Sequence, residues 1–307
     1  QTLSPVLHHP VNVIYASDHG IADEGVSKSP KEVTRQVIHN FLNGGAGICF
    51  LSRQHGFEIK IVDGGVDFDF PAIPELINRK IRKGTRNFLY EAAMTQDEME
   101  LAIQYGADIV TDCYDKGSNV ISFGEMGIGN TTPTSALLAA LLDLPADTVT
   151  GRGAGLNNAG LARKVQVITQ ALARVQGTTD AKQLLAELGG LEIAGMVGVF
   201  LGARQYQIPV VLDGAITCVA ALVAMRMDAE IVDYLLASHV SEEASGRLAL
   251  DALGLPAVIH GKMCLGEGSG AMMLFPLLDM TLSIYKNMGT FDDLSIEAYS
   301  RDGKPEE

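Results

Sequence analysis

The 307-residue chain carries a formal net charge of −14, from 37 acidic and 23 basic side chains. Proteins whose main partner is nucleic acid or an anionic membrane need a basic surface, so the charge disfavours both classes. Hydrophobic residues make up 47% of the chain, yet no apolar run is long enough to cross a bilayer. We therefore expect a cytoplasmic protein with one large packed core.

The composition also bears on the fold and on the redox environment. Tryptophan is absent, aromatic residues are few and there are 33 glycines, which suits a parallel sheet covered by helices better than a β-sandwich. The four cysteines (Cys49, Cys113, Cys218 and Cys264) are far apart and form no CxxC pair. We expect buried, unpaired thiols and a reducing compartment.

Strand-like and helix-like segments alternate along the chain, as in a doubly wound, mostly parallel α/β sheet. In chain order we predict strand 11–16, a helix from about residue 29, strand 58–63, helix 95–105, strands 107–111 and 120–123, helices 131–142, 162–175 and 181–188, strand 209–212, and helices 215–225, 242–253 and 271–286.

A glycine-rich segment lies between a predicted strand and the helix that follows it. Gly127 and Gly129 let a ligand approach the backbone, and we expect Thr131 or Thr132 to cap the helix. Free N–H groups and the positive helix end suit a phosphate, whereas the carboxylate of Glu125 suits ribose hydroxyls. The alternative is a tight turn with no ligand.

A second glycine cluster, Gly-Arg-Gly-Ala-Gly at 151–155, precedes a helix that carries Lys164 near its start. The ammonium group of Lys164 is placed to fold back toward an anion at the loop. A solvated surface lysine is the competing interpretation, and the sequence leaves both open.

Glu267 stands between Gly266 and Gly268, just before an apolar helix. A carboxylate held by such a loop has open space around it, as a general base needs when a flat heterocycle lies against it. Partial desolvation would raise the pKa of Glu267 toward neutrality. The alternative is a carboxylate that only stabilises the helix N-terminus.

Two histidines, His19 and His239, lie next to polar residues and are candidate metal ligands. Neither belongs to an HxH or HExxH pattern, so hydrogen-bonded structural or pocket roles are favoured. The chain also has no Walker loop, no nucleophile elbow and no complete dinucleotide fingerprint.

Taken together, these segments resemble the nicotinate-nucleotide–dimethylbenzimidazole phosphoribosyltransferase family. The similarity runs in family order through Ser-Asp-His-Gly at 17–20, Gly-Glu-Met-Gly-Ile-Gly-Asn-Thr-Thr-Pro at 124–133, Gly-Arg-Gly at 151–153, Leu-Asp-Gly at 212–214, Ser-His-Val-Ser at 238–241, Leu-Gly-Glu-Gly-Ser-Gly-Ala at 265–271 and Asn-Met-Gly-Thr-Phe at 287–291.

The resemblance implies a two-domain architecture. A Rossmann-like large domain would cover residues 9–270, and the chain ends, 1–8 and 271–307, would form a small helical domain. Family members usually carry an N-terminal Pro-Gly-Ser-Leu-Gly stretch, so part of the small domain is expected to lie outside this sequence. The resemblance further implies a homodimer, no metal and no separate cofactor.

The resemblance also implies a reaction, in which nicotinate mononucleotide gives its phosphoribosyl group to 5,6-dimethylbenzimidazole. The products are α-ribazole 5′-phosphate, used in cobalamin biosynthesis, and nicotinate. The family's catalytic base falls on Glu267. The predicted substrate-binding residues are Glu125, Gly127, Ile128, Gly129, Asn130, Gly153, Lys164, Ser241 and Leu265.

Two other functions remain open at this stage. One is a related transferase with another acceptor, such as a different benzimidazole, a purine or a phenol, which the base pocket would decide. The other is a non-catalytic nucleotide-binding protein on the same scaffold, and the complete loop around Glu267 argues against it.

Overall fold

The computed structural model describes residues 5–295, which divide into two compact units. The large unit covers residues 7–274, and the small unit includes residues 5–6 and 275–295. The sequence placed the domain boundary between residues 270 and 271. The rest of the predicted small domain, residues 1–4 and 296–307, lies outside the described residues.

The large unit is built on a six-stranded, wholly parallel sheet in the order β3-β2-β1-β4-β5-β6. This is the strand order of the doubly wound Rossmann fold, so the predicted fold class is confirmed. The strands are β1 (Val11–Ser17), β2 (Glu58–Gly65), β3 (Leu76–Asn78), β4 (Ile121–Met126), β5 (Val210–Leu212) and β6 (Leu235–Ala237). A separate parallel pair contains β7 (His239–Ser241) and β8 (Ile259–Met263).

Helices accompany the sheet along the chain. They are α1 (Glu32–Leu42), α2 (Gly47–His55), α3 (Gln96–Asp115), α4 (Thr131–Leu142), α5 (Ala146–Val149), α6 (Asn158–Arg174), α7 (Ala181–Leu188), α8 (Leu191–Tyr206), α9 (Ala215–Met227), α10 (Ala244–Leu253), α11 (Ser269–Asn287) and α12 (Phe291–Leu294). Within residues 5–295, none of them combines the length and apolarity needed to span a membrane.

The central strand β1 explains why helices flank the sheet. All seven of its residues are buried, so neither face of the strand contacts water. A parallel strand of this kind is stable only when helices cover both faces of the sheet. On one face α8 packs closely against α3, because a Cβ atom at Gly106 would lie 1.9 Å from the carbonyl oxygen of Gly195.

Two sequence-based assignments in this region differ from the structure. The strand predicted at residues 107–111 is wrong, because the segment lies inside α3, whose first turn is fixed by a capping box between Thr95 and Glu98. No element was predicted for α8. It is buried on nearly every side and contains three glycines, so it shows little helical alternation of apolar and polar residues.

The carboxyl ends of β1, β4 and β5 meet at one edge of the sheet. Ala16 near the end of β1 pairs with Met126 at the end of β4, and β5 ends at Leu212 on the other side of β4. Loops that follow neighbouring parallel strands therefore share a crevice, which is where ligands bind in open α/β sheets.

Candidate active site

A cavity of about 250 Å³ opens at this edge of the sheet. The sequence proposed ten site residues, and nine of them line it: Glu125, Gly127, Ile128, Gly129, Asn130, Gly153, Ser241, Leu265 and Glu267. Lys164 does not line the cavity and lies behind its wall. The structure therefore brings all three glycine-rich segments to one place, although the first and the last are more than one hundred residues apart in the chain.

The first glycine-rich turn connects β4 to α4. A Cβ atom at Gly127 would lie 2.3 Å from the backbone oxygen of Ser17, and Gly129 adopts a φ of +93°, so both positions require glycine. The side chain of Asn130 donates a hydrogen bond to Glu125. The expected threonine cap is wrong: the N-cap residue is Asn130, without a side-chain cap bond, and the hydroxyl of Thr131 serves another purpose.

The hydroxyl group of Thr131 accepts a hydrogen bond from Lys164. The side chain of this lysine is fully buried, and its Nζ donates hydrogen bonds to Thr131 Oγ1 at 2.7 Å and to the Gly151 carbonyl at 3.2 Å. Lys164 thus connects the two glycine-rich turns, so the surface-lysine interpretation is wrong. Burial lowers the pKa of its ammonium to about 8, although the charge of Glu243 opposes this shift.

Burial shifts the pKa of Glu125 upward, because it disfavours the charged form of a carboxyl group as it does that of an ammonium group. The pKa of its carboxyl group is raised to about 7, mainly by burial and then by the negative charge of Asp213. The hydrogen bond from Asn130 opposes this rise. Near neutral pH this group exists in both protonation states. It can therefore donate or accept a hydrogen bond at the cavity wall.

Glu267 lies on the loop that leads into α11 and has a left-handed φ of +62°, between Gly266 at +75° and Gly268 at +85°. Such a backbone costs roughly 1–2 kcal/mol for a residue other than glycine, so its surroundings must hold it in place. Burial raises the pKa of its carboxyl group, and the charge of Asp213 raises it further. The loop lies directly on β4, because a Cβ atom at Gly124 would lie 2.4 Å from the Glu267 carbonyl.

The sequence-based site missed Asp213, which lines the cavity beside Glu267. Its Oδ1 accepts hydrogen bonds from the backbone N–H groups of Gly270 at 2.8 Å and Ala271 at 3.1 Å. Its Oδ2 accepts a third from the N–H group of Gly268 at 3.1 Å. An aspartate directly after a buried strand, followed by glycine, was the signal available in the sequence.

The two histidines take different positions. His239 lines the cavity, its Nδ1 lies 2.9 Å from Ser238 Oγ, and burial lowers its pKa. His19 is completely buried, with its Nε2 3.0 Å from Glu192 Oε1, and it packs behind Gly127. Within residues 5–295, no group of acidic, histidine or cysteine side chains is arranged to hold a metal ion.

The comparisons with known proteins agree with this geometry. A family model described as phosphoribosyltransferase matches residues 1–296. The chain is therefore a phosphoribosyltransferase, because the family model covers nearly all of it. The Rossmann strand order and the glycine-rich turns around one cavity agree with this class.

Individual relatives and solved structures narrow the class. A nicotinate-nucleotide–dimethylbenzimidazole phosphoribosyltransferase of Parabacteroides distasonis is 55% identical, over 97% of this chain and 87% of its own. An enzyme of the same name from Bacteroides fragilis is 46% identical over the same shares. The crystal structure of CobT from Thermus thermophilus superposes with a TM-score of 0.91 at 39% identity, covering 96% of this chain and 88% of that one. The chain belongs to the nicotinate-nucleotide–dimethylbenzimidazole phosphoribosyltransferase family.

The raised pKa of Glu125 predicts a pH-dependent cost to stability. A carboxyl group whose pKa rises on folding destabilises the fold once it ionises, and the cost grows between pH 4.5 and pH 7. Glu125→Gln cannot ionise. Its free energy of unfolding, relative to the wild type, should therefore increase by about 1–3 kcal/mol over that range, since one pKa unit corresponds to about 1.4 kcal/mol.

Urea unfolding at pH 4.5 and pH 7.5 measures this difference. Glu100→Gln, which removes an exposed carboxylate from α3, is the control and should follow the wild-type pH dependence. An equal difference between Glu125→Gln and the wild type at both pH values would show that Glu125 ionises freely in the folded protein.

Proposed function

We propose that the protein transfers the phosphoribosyl group of nicotinate mononucleotide to 5,6-dimethylbenzimidazole, giving α-ribazole 5′-phosphate and nicotinate for cobalamin biosynthesis. The observation that carries the proposal is the position of Glu267, a partly buried carboxylate facing the same cavity as two glycine-rich turns. The names of the relatives support the choice of substrates. The cysteines support work in the cytoplasm, since all four are unpaired. The expectation of a buried thiol is wrong for Cys264, which is exposed, whereas Cys49, Cys113 and Cys218 are buried.

In this proposal the two glycine-rich turns hold the mononucleotide. Backbone N–H groups of the turn at residues 127–130 and the start of α4 bind the 5′-phosphate. Lys164, through Thr131 and the Gly151 carbonyl, fixes both turns and supplies the positive charge. Glu125 binds the ribose hydroxyls, which a group near its own pKa can do as donor or acceptor.

The chemical step then needs orientation and one base. The bond between C1′ and the nicotinate nitrogen breaks with its electron pair on that nitrogen, so a cationic pyridinium leaves as a neutral pyridine. The incoming benzimidazole nitrogen forms its bond to C1′ on the opposite face, which inverts β to α. The proton on the other benzimidazole nitrogen passes to the carboxylate of Glu267, whose raised pKa makes it the stronger acceptor.

The walls of the cavity favour a flat apolar acceptor. The lining includes the apolar residues Val26, Met126, Met263 and Leu265 beside its polar ones. The methyl groups of 5,6-dimethylbenzimidazole can be buried against these apolar residues. A non-catalytic nucleotide-binding role does not account for a strained, partly desolvated carboxylate at Glu267.

Replacing the base tests the proposal directly. Glu267→Gln keeps the shape of the side chain and removes proton acceptance, so kcat should fall about 10²–10⁴-fold, the range typical of general-base catalysis. The dissociation constant for nicotinate mononucleotide should change little. Glu242→Gln, at an exposed position nearby, is the matched control. A Glu267→Gln enzyme with wild-type turnover would rule the assignment out.

A second prediction concerns Lys164 and the phosphate. Lys164→Ala should weaken binding of nicotinate mononucleotide and leave the affinity for nicotinate riboside, which lacks the phosphate, nearly unchanged. Calorimetry with both ligands measures this, with Lys182→Ala on the exposed side of α7 as the control. Equal losses for the two ligands would place the role of the lysine away from the phosphate.

The small unit motivates a proposal about assembly. Along α11 and just beyond its end, the side chains of Met280, Ile284 and Met288 are 55%, 59% and 71% exposed, and their spacing of four places them on one face. An apolar stripe of this kind usually contacts a partner. We propose that the chain ends form a small helical domain whose stripe packs against that of a second copy in an isologous homodimer.

Light scattering at low micromolar concentration should report about twice the chain mass of 32.7 kDa. Ile284→Glu introduces a charge into the centre of the stripe and should produce monomers. Ser283→Glu adds the same charge at the neighbouring position, off the stripe, and should remain dimeric. A wild-type monomer at this concentration, or two variants that behave alike, would contradict the proposed interface.

A further inference from the structure

Asp213 occupies a position that the reaction described above does not use. It follows β5 directly, is 2% exposed, and lies between the end of the sheet and the loop that carries Glu267. Its two carboxylate oxygens accept three backbone hydrogen bonds, all from residues 268–271, immediately after Glu267. Among the described residues, no other side chain accepts three hydrogen bonds from this loop.

We propose that Asp213 is the positioning residue of the site: its carboxylate fixes the loop that presents Glu267, and its negative charge makes Glu267 a stronger base. The inference rests on the proposed role of Glu267 as the proton acceptor. Asp213 acts through that residue and takes no part in bond making itself.

The geometry of the loop explains why an anchor is needed. Glu267 and both flanking glycines have left-handed φ values, a conformation that a free loop would leave readily. The N–H groups of Gly270 and Ala271 belong to the first turn of α11 and have no acceptor within that helix. An ionised carboxylate at a helix N-terminus is favoured by the helix dipole, and it satisfies these groups at the same time.

The loop packs closely against the sheet just after Glu267. A Cβ atom at Gly268 would lie 2.6 Å from Asn12 Nδ2, and one at Gly270 would lie 2.1 Å from a ring carbon of His239. At Gly268 and Gly270 the backbone therefore lies close to β1, β4 and the histidine. Only a short side chain from the end of β5 reaches the three N–H groups, and aspartate is the short residue that accepts at both oxygens.

Asp213 also acts on Glu267 through its negative charge. Within the described part of the chain, the titratable groups that interact with the charge of Glu267 are Asp213 after β5, Glu125 on β4 and Cys49 on α2. Burial raises the pKa of Glu267 most, and the like charge of Asp213 raises it further. A higher pKa means that the carboxylate binds a proton more strongly, which is the property a general base needs.

Asp213 must be ionised to act in this way. Burial raises its own pKa, and the imidazole of His239 together with the three N–H donors opposes that rise. The other charged or titratable groups that it faces are Glu125, Glu267 and the buried thiol of Cys218. Asp213 is the acceptor in all three hydrogen bonds, so they stabilise its ionised form and not its protonated form.

Two substitutions separate the two effects. Asp213→Asn removes the charge and turns one of the three bonds into a contact between two donors. We expect kcat to fall about 10²-fold, the cost typical of a displacement near 1 Å. The acid limb of the kcat–pH profile should move to lower pH by about 1 unit, at the low end of what one neighbouring charge produces. Asp213→Glu keeps the charge and displaces the carboxylate by one methylene group, so kcat should fall while the acid limb stays in place.

Asp63 provides the matched control. It is also a buried aspartate at the carboxyl end of a parallel strand, with a raised pKa, a backbone donor at Val66 and an ion pair to Lys80, but it does not line the cavity. Asp63→Asn should leave both kcat and the acid limb as in the wild type. Calorimetric binding of nicotinate mononucleotide establishes that each variant is folded, because that ligand is held mainly by the glycine-rich turns.

The outcomes distinguish this inference from the function on which it rests. Wild-type turnover in Glu267→Gln would remove the base and with it the proposed mechanism. If Glu267→Gln is impaired but Asp213→Asn keeps wild-type kcat, or loses turnover with an unmoved acid limb, the base stands and the role of Asp213 is overturned. A lowered acid limb in Asp213→Asn, together with an unmoved limb in Asp213→Glu, supports the inference.

Discussion

The crowding of carboxylates at the ends of β4 and β5 is the constraint on which the rest of the site depends. Parallel strands deliver Glu125 and Asp213 to one edge of the sheet, and the loop before α11 adds Glu267. Like charges that share a poorly solvated crevice raise one another's pKa. The strand order of the fold therefore determines the chemistry of the cavity, because it decides which acidic side chains become neighbours.

The same constraint explains why the site includes so many glycines. The carboxylates share one cavity only if the backbone segments that carry them pack closely against one another. At Gly124 and Gly127 a Cβ atom would lie 2.4 Å and 2.3 Å from neighbouring backbone atoms. This arrangement lowers the stability of the fold, because buried ionised groups and residues with a left-handed backbone are both destabilising. The wholly buried β1 and the close packing of α3 against α8 offset that cost elsewhere in the large unit.

Much of this arrangement could be predicted from the sequence, and the limits have physical reasons. Strands β1, β2 and β5 and helices α4 and α7 are predictable because their hydrophobic patterns and flanking turn residues are local signals. Helix α8 was missed because it is buried on nearly every side and so shows little alternation, and α3 was divided because its apolar run at residues 107–111 resembles a buried strand. Local pattern cannot distinguish such segments.

The site shows the same division. Glycine-flanked residues such as Glu267 were identifiable, since the neighbouring residues signal an unusual backbone. For Asp213 the sequence signals only its place after a buried strand, and its contacts could not be predicted, because they are three hydrogen bonds to residues more than fifty positions away. The burial of Lys164 was equally invisible, because a lysine near the start of a helix is usually solvated.

Direct transfer to the benzimidazole is tested by an assay of nicotinate release from nicotinate mononucleotide, with and without 5,6-dimethylbenzimidazole. We expect rapid release only when the acceptor is present, and a product whose C1′ has the α configuration by nuclear magnetic resonance. Release at the same rate without the acceptor would mean that water, not the benzimidazole, attacks C1′. A product with the β configuration would contradict direct displacement in the cavity beside Glu267.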